Sequence, residues 1–208
     1  MKLKPNNFFI ATLATLLFTA CTKPIPELLL PIYGGKNVVN GDTVYHTIGG
    51  FSLTNQYGEN ITEKTMTGKI VVANFFFATC QSICPQMSKN MIEVQKTFAN
   101  NDSLLILSHS VNPLHDTVEV LNKYSIAYGA KKGKWHFLTG DKKTIYDLAK
   151  NSYLVNALED DGTPEGFLHS ELFLLIDNKG RIRGMFDGTD MIQVKKLIED
   201  INLLRREL

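Results

Sequence analysis

The chain reads as an α/β domain, a mixed central sheet with helices on both faces and an N-terminal β-hairpin. Three observations predict it. Ile70 to Phe77 (IVVANFFF) and Leu104 to Leu107 are short, almost uninterrupted apolar runs, as strands covered on both faces require. A stretch with helical spacing follows each run. Then Leu172 to Ile176 and Ile182 to Phe186, joined by Asp177-Asn178-Lys179-Gly180, give a hairpin signal ahead of a final amphipathic helix.

At 208 residues and 44% hydrophobic content the chain can fill one ordinary core. A net charge of +1 gives no reason to expect nucleic acid as a partner. The first twenty residues are expected to lie outside the fold. Lys2 and Lys4 precede the uncharged, mainly apolar run Phe8 to Ala20, the layout of an export signal. Leu17-Phe18-Thr19-Ala20-Cys21 resembles a bacterial lipoprotein signal, which would make Cys21 the lipid-bearing first residue. The alternatives are a plain signal with an incidental cysteine, or an uncleaved anchor. Thr22 to Gly35, with Pro24, Pro26 and Pro31, reads as a tether, so residues 1–20 are expected as signal, 21–40 as lipid-anchored linker and 41–208 as the domain.

Thr43 to Gln56 and the Tyr57-Gly58 turn predict a hairpin leading to Ile61. Met87, Met91, Val94 and Phe98 place a helix over 85–99. Asp116 followed by Glu119 predicts a capped helix through about Tyr128. Trp135 to Leu138 is extended, Asp141 caps a helix through Lys150, and Asp190 caps the last one. That helix should bury Ile192, Val194, Leu197, Ile198, Ile201 and Leu204.

The chemistry concentrates in Cys80-Gln81-Ser82-Ile83-Cys84, between the first apolar run and Pro85. With Cys21 assigned to lipid, this is the pair left for the fold. A bridge closing so small a loop removes little chain entropy, so it is a poor staple. A dithiol at a helix start, after the first central strand, points to a thioredoxin-like fold. Pro85 at the first helical position would put Cys84 at the cap. There the helix dipole favours thiolate, and the pair is expected near the surface and electropositive. Two thiolates suit soft ions, Cu(I) foremost, which accepts two or three ligands. Among the histidines, His46 is expected at a surface or edge, His109 and His136 in structural roles, and His115 exposed. His169 lies in the loop entering the Leu172 strand, which in such a sheet passes the dithiol.

Thr79 to Pro85 resembles the Cys-x-x-x-Cys-Pro site of the Sco/SenC copper-chaperone family. The likeness continues through Ser110-Val111-Asn112-Pro113, Asp116-Thr117, Trp135 to Asp141 (WHFLTGD), His169-Ser170 and Leu175-Ile176-Asp177. It covers roughly residues 45 to 205. The resemblance implies copper held by Cys80, Cys84 and His169, and a role at the dinuclear copper site of a cytochrome c oxidase subunit. Other implied partners are a thiol reductant or a second copper chaperone, and the membrane through the lipid anchor. The implied location is the periplasm. Two positions depart from the pattern, Leu168 and Asn112, where family members commonly carry acidic residues. Whether copper is delivered or the partner's cysteines are reduced stays open. The rival reading is an exported thiol–disulfide oxidoreductase without copper, using Cys80 and Cys84 as its redox pair.

Overall fold

The computed structural model describes residues 29–155 and 170–207. The expected signal, Cys21 and His169 therefore lie outside the described residues. Strands β1 (Lys36–Val39) and β2 (Asp42–Tyr45) form a two-stranded sheet of their own. Their turn, Asn40-Gly41, has φ of 53° and 88°, the left-handed pair that the tightest hairpin needs and that Asn-Gly tolerates. A second hairpin follows, β3 (Ser52–Asn55) and β4 (Asn60–Thr62), which joins the main sheet. It realises the expected hairpin within narrower bounds.

Next come β5 (Ile70–Phe76), α1 (Cys84–Thr97), β6 (Leu104–Ser110), α2 (Val118–Ala127), β7 (Trp135–Thr139) and α3 (Lys142–Asp147). A π-helical turn over Leu148–Ser152 extends α3. Beyond residue 170 lie β8 (Leu172–Ile176), β9 (Ile182–Asp187) and α4 (Met191–Glu207). The seven-stranded sheet has the order β4-β3-β7-β6-β5-β8-β9. Strands β5, β6 and β7 run parallel, while β8 is antiparallel to β5 and β9 to β8. A βαβ unit joined to a ββα unit through the central strand is the thioredoxin-like topology.

Both faces of the sheet are covered, as the apolar runs require; every residue of β5 and β6 is buried. On one face Phe76 and Phe137 meet Tyr124 of α2. Ser88 of α1 bonds the Tyr124 hydroxyl at 2.8 Å, and α4 packs beside α1. On the other face Phe75 and His109 meet Tyr153, just past the π-helical turn. Asn74, the polar residue inside β5, is satisfied: its Oδ1 accepts from Ser108 Oγ (2.6 Å), which accepts from Trp135 Nε1 (2.9 Å). Left unpaired, such a group would cost about 1–3 kcal/mol.

Three expectations shift. Packing begins upstream of residue 40: Leu30 is buried, and Tyr33 N–H donates to the Ile182 carbonyl at 2.9 Å. Arg183 fixes this segment, donating to the carbonyls of Leu30 (2.7 Å) and Pro31 (3.0 Å) and to the carboxylates of Asp177 and Glu207. Helix α2 is capped by Thr117, whose hydroxyl accepts from Val120 N–H, and not by Asp116. On α4, Asp190 accepts from Ile192 N–H as expected, but the Ile192 side chain is 75% exposed.

Candidate metal centre

Strand β5 delivers the dithiol to the carboxyl end of the sheet, where the chain must turn into α1. Cys80 N–H donates back to the Phe77 carbonyl at 3.2 Å, closing the turn. Ile83 caps α1 without a side-chain bond, Cys84 is the first helical residue and Pro85 the second. This moves Cys84 one position inward from the expected cap. Proline is tolerated there because the first-turn N–H groups have no partner within the helix.

Both thiols are free and both are buried, Cys80 at 8% and Cys84 at 3% relative exposure. The near-surface expectation is corrected: both cysteines lie below the surface of the fold. The two sulfurs differ. Burial works against a Cys80 thiolate. Hydrogen bonds from Ser82 Oγ (3.4 Å) and from the Cys84 and Ser82 peptides outweigh it, and Cys80 titrates below its ordinary range. For Cys84, burial dominates and pushes the thiol up to about 12, with the charges of Cys80 and Asp116 adding to it. The structure thus offers one more acidic thiol beside one protected thiol, with a carboxylate near the pair where the expectation was an electropositive setting.

That carboxylate is a functional residue the sequence reading treated as a helix cap. Asp116 is wholly buried. It accepts from Ala78 N–H (3.0 Å), two residues before Cys80, and from Ser110 Oγ (2.6 Å); its other oxygen meets His115 Nδ1 (2.9 Å). Ser110 in turn accepts from Asn112 N–H at 3.1 Å. Asp116 therefore clamps the exit of β5 to the loop after β6 and fixes the floor on which the dithiol stands.

The described histidines sort as follows. His109 is fully buried, stacked on Phe75 at 5.0 Å, and burial pushes it down to about 4, so it is a neutral core residue. His136 is buried against Asn55 (3.0 Å) and also lowered by burial. His46 is tied to the Ser152 carbonyl at 2.7 Å. His115 is half exposed at the rim and held by Asp116. Among the described residues no third histidine, cysteine or carboxylate joins the dithiol into a metal-holding group. The pair by itself can bind a soft cation linearly or exchange with a disulfide.

The SCO1/SenC family model matches residues 40–205. A SCO1/SenC family lipoprotein from Bacillus anthracis superposes with a TM-score of 0.70 at 27% identity, over 77% of this chain and 95% of that one. BsSco, a member of the Sco family of cytochrome c oxidase assembly proteins in which a disulfide switch was identified, gives 0.67 at 28%, over 76% and 93%. Bradyrhizobium japonicum ScoI, solved with copper bound, gives 0.62 at 25%, over 76% and 99%. The chain belongs to the SCO1/SenC family.

Proposed function

We propose that this chain is a copper-binding protein of cytochrome c oxidase assembly that carries copper as cargo between Cys80, Cys84 and His169. The observation that carries the proposal is the free, buried Cys80–Cys84 pair at the β5–α1 junction. A relative crystallised with copper supports the choice of metal, and two sulfurs with an imidazole suit Cu(I). On binding, each thiol releases its proton and its sulfur lone pair bonds the ion. Burial of both cysteines limits access of water, which would otherwise compete for the ion, and of oxidants. Delivery then proceeds by partner thiolates replacing Cys80, Cys84 and His169 one bond at a time.

We further propose that Cys21 carries lipid and holds the domain on the periplasmic side of a bacterial membrane. The destination is the copper-bearing oxidase subunit, and the suppliers are a thiol reductant or a second copper chaperone.

The unequal thiols favour a second use of the same atoms. The Cys80 thiolate attacks a partner disulfide to give a mixed disulfide and one released partner thiol. Cys84 then loses its proton and attacks the Cys80 sulfur, releasing the second partner thiol. Two electrons pass to the partner, and a Cys80–Cys84 disulfide remains. Copper titration of the reduced full-length chain, read by X-ray absorption, tests the metal reading. One copper with two sulfurs and one nitrogen is expected, and His169→Ala should lose the nitrogen and most copper retention while disulfide exchange continues. Unchanged copper binding in His169→Ala would remove the three-ligand site. An oxidase that matures normally without this chain would remove the assembly role.

A further inference from the structure

We infer that the β1–β2 hairpin is a second membrane contact, seating its valines in the interfacial zone of the lipid bilayer to which the chain is anchored. The inference rests on the reading that Cys21 carries lipid.

The starting observation is a cluster. Nine large apolar side chains stand exposed among the described residues, and five of them fall between residues 29 and 44: Leu29 (65%), Tyr33 (40%), Val38 (74%), Val39 (51%) and Val44 (50%). Scattered exposed apolar residues need no explanation, but five within one sixteen-residue segment, three of them on a single hairpin, mark it as a contact element. The hairpin also lies outside the seven-stranded sheet, with all four β1 residues exposed and β2 little better. Two short strands alone are marginal in water, so a covering surface would stabilise them.

The register says what kind of surface. Val38 pairs with Thr43, and Asn37 with Val44, so Val38 and Tyr45 share one face while Val39 and Val44 share the other. A flat protein partner or a second copy would cover one face and leave the other wet. A bilayer interface surrounds both. Headgroups and water at that depth also satisfy the free N–H and C=O groups of the strand edges, which the hydrocarbon interior would not. The only charges on the hairpin, Lys36 and Asp42, cancel. Tyr33 and Tyr45 carry polar tips suited to headgroup level.

Chain length agrees. Leu29 follows Cys21 by eight residues, a reach of at most about 28 Å. The hairpin is rooted where Tyr33 meets Ile182 and where Ile48 N–H donates to the Gly180 carbonyl at 2.8 Å. This is the end of the sheet where Val71 pairs with Ile176, opposite to the dithiol. Strand β5 separates the two ends by about 23 Å, so a seated hairpin holds the thiols clear of the lipid.

The test uses the full lipidated chain in vesicles of phosphatidylcholine and phosphatidylglycerol, with and without brominated acyl chains. Val39→Trp places an indole on the hairpin; the native Trp135, 1% exposed in the core, is the internal reference. The expected result is that brominated lipid removes most of the added emission and leaves that of Trp135. With the unlipidated Cys21→Ser chain, the triple change Val38→Ser, Val39→Ser, Val44→Ser should weaken vesicle partition by roughly tenfold or more. An anchored chain whose added indole is unquenched overturns the inference and leaves the anchor standing, as does cross-linking of hairpins between two copies. A chain found unlipidated by intact mass removes the anchor and the inference together.

Discussion

Replacing Ser82 by alanine should slow modification of Cys80 without exposing Cys84. Cys80 titrates below 9.0 and Cys84 near about 12, so at neutral pH their thiolate populations differ by at least about a thousandfold. Intrinsic reactivity runs the other way, because a more basic thiolate is the better nucleophile. With a Brønsted slope of about 0.5, the advantage of Cys80 shrinks to about thirtyfold. The lower exposure of Cys84 restores part of it. The Ser82 Oγ contact at 3.4 Å stabilises the Cys80 thiolate. Its loss, worth about 1 kcal/mol, raises that thiol by about 0.7 pH unit and lowers its alkylation rate about twofold after the same correction. A short iodoacetamide pulse on the reduced, metal-free chain, with tandem mass spectrometry to separate the two cysteines, measures both rates. Equal labelling, or faster labelling of Cys84, would refute the assignment of roles.

Four further outcomes concern stability. Arg183→Met leaves the buried Asp177 with one guanidinium partner fewer and frees the Leu30 segment, so chemical denaturation should show a loss of about 3 kcal/mol. The lowered carboxyl of Asp177 contributes stability above the usual aspartate range and loses it as pH falls through its folded value, an acid-side drop that Arg181→Gln should shrink. His109, near 4 in the fold against about 6.5 unfolded, adds stability that is full above about pH 6.5 and fades toward pH 4. The change is up to about 3 kcal/mol, and urea midpoints in His109→Phe should show a flatter slope across that window. Gly188→Ala would place a Cβ 2.5 Å from the Phe173 ring, a clash expected to cost about 1–3 kcal/mol in a thermal melt.

The central strands and the closing hairpin were legible because a strand buried on both faces has no polar alternation to disguise it. Asn74 interrupts that pattern only because Ser108 and Trp135 satisfy it from neighbouring strands. Asp116 was misassigned because Asp116 and Thr117 are both competent caps. What separates them is the Ala78 peptide and Ser110 side chain reaching the carboxylate, contacts that spacing does not reveal. The β1–β2 hairpin escaped because it buries neither face, so its valines show no period, although Asn40-Gly41 was a turn signal. The depth of Cys84 was hidden for the same reason as Asp116: sequence gives its place at a helix start, while its burial depends on tertiary packing that spacing does not reveal. His169 rests on the resemblance alone, since residues 156–169 lie outside those described.

The buried thiol has a consequence for the cargo. A group that titrates near about 12 holds its proton firmly at neutral pH, and removing it there costs about 7 kcal/mol. A soft cation can take that proton's place, because its charge relieves the penalty that burial imposes on the thiolate. Under the proposed delivery role, proton and copper would compete for the Cys84 sulfur, and reprotonation of Cys84 would assist release to the partner. Since Cys84 stays protonated from about pH 6 to about pH 9, apparent Cu(I) affinity should rise at least about tenfold per pH unit over that range. It should rise more steeply wherever Cys80 is also protonated. Competition against a Cu(I) chelator, corrected for the chelator's own protons, measures the slope. A flat profile would mean that Cys84 either binds no copper or is already a thiolate, and would break the division of labour between the two sulfurs.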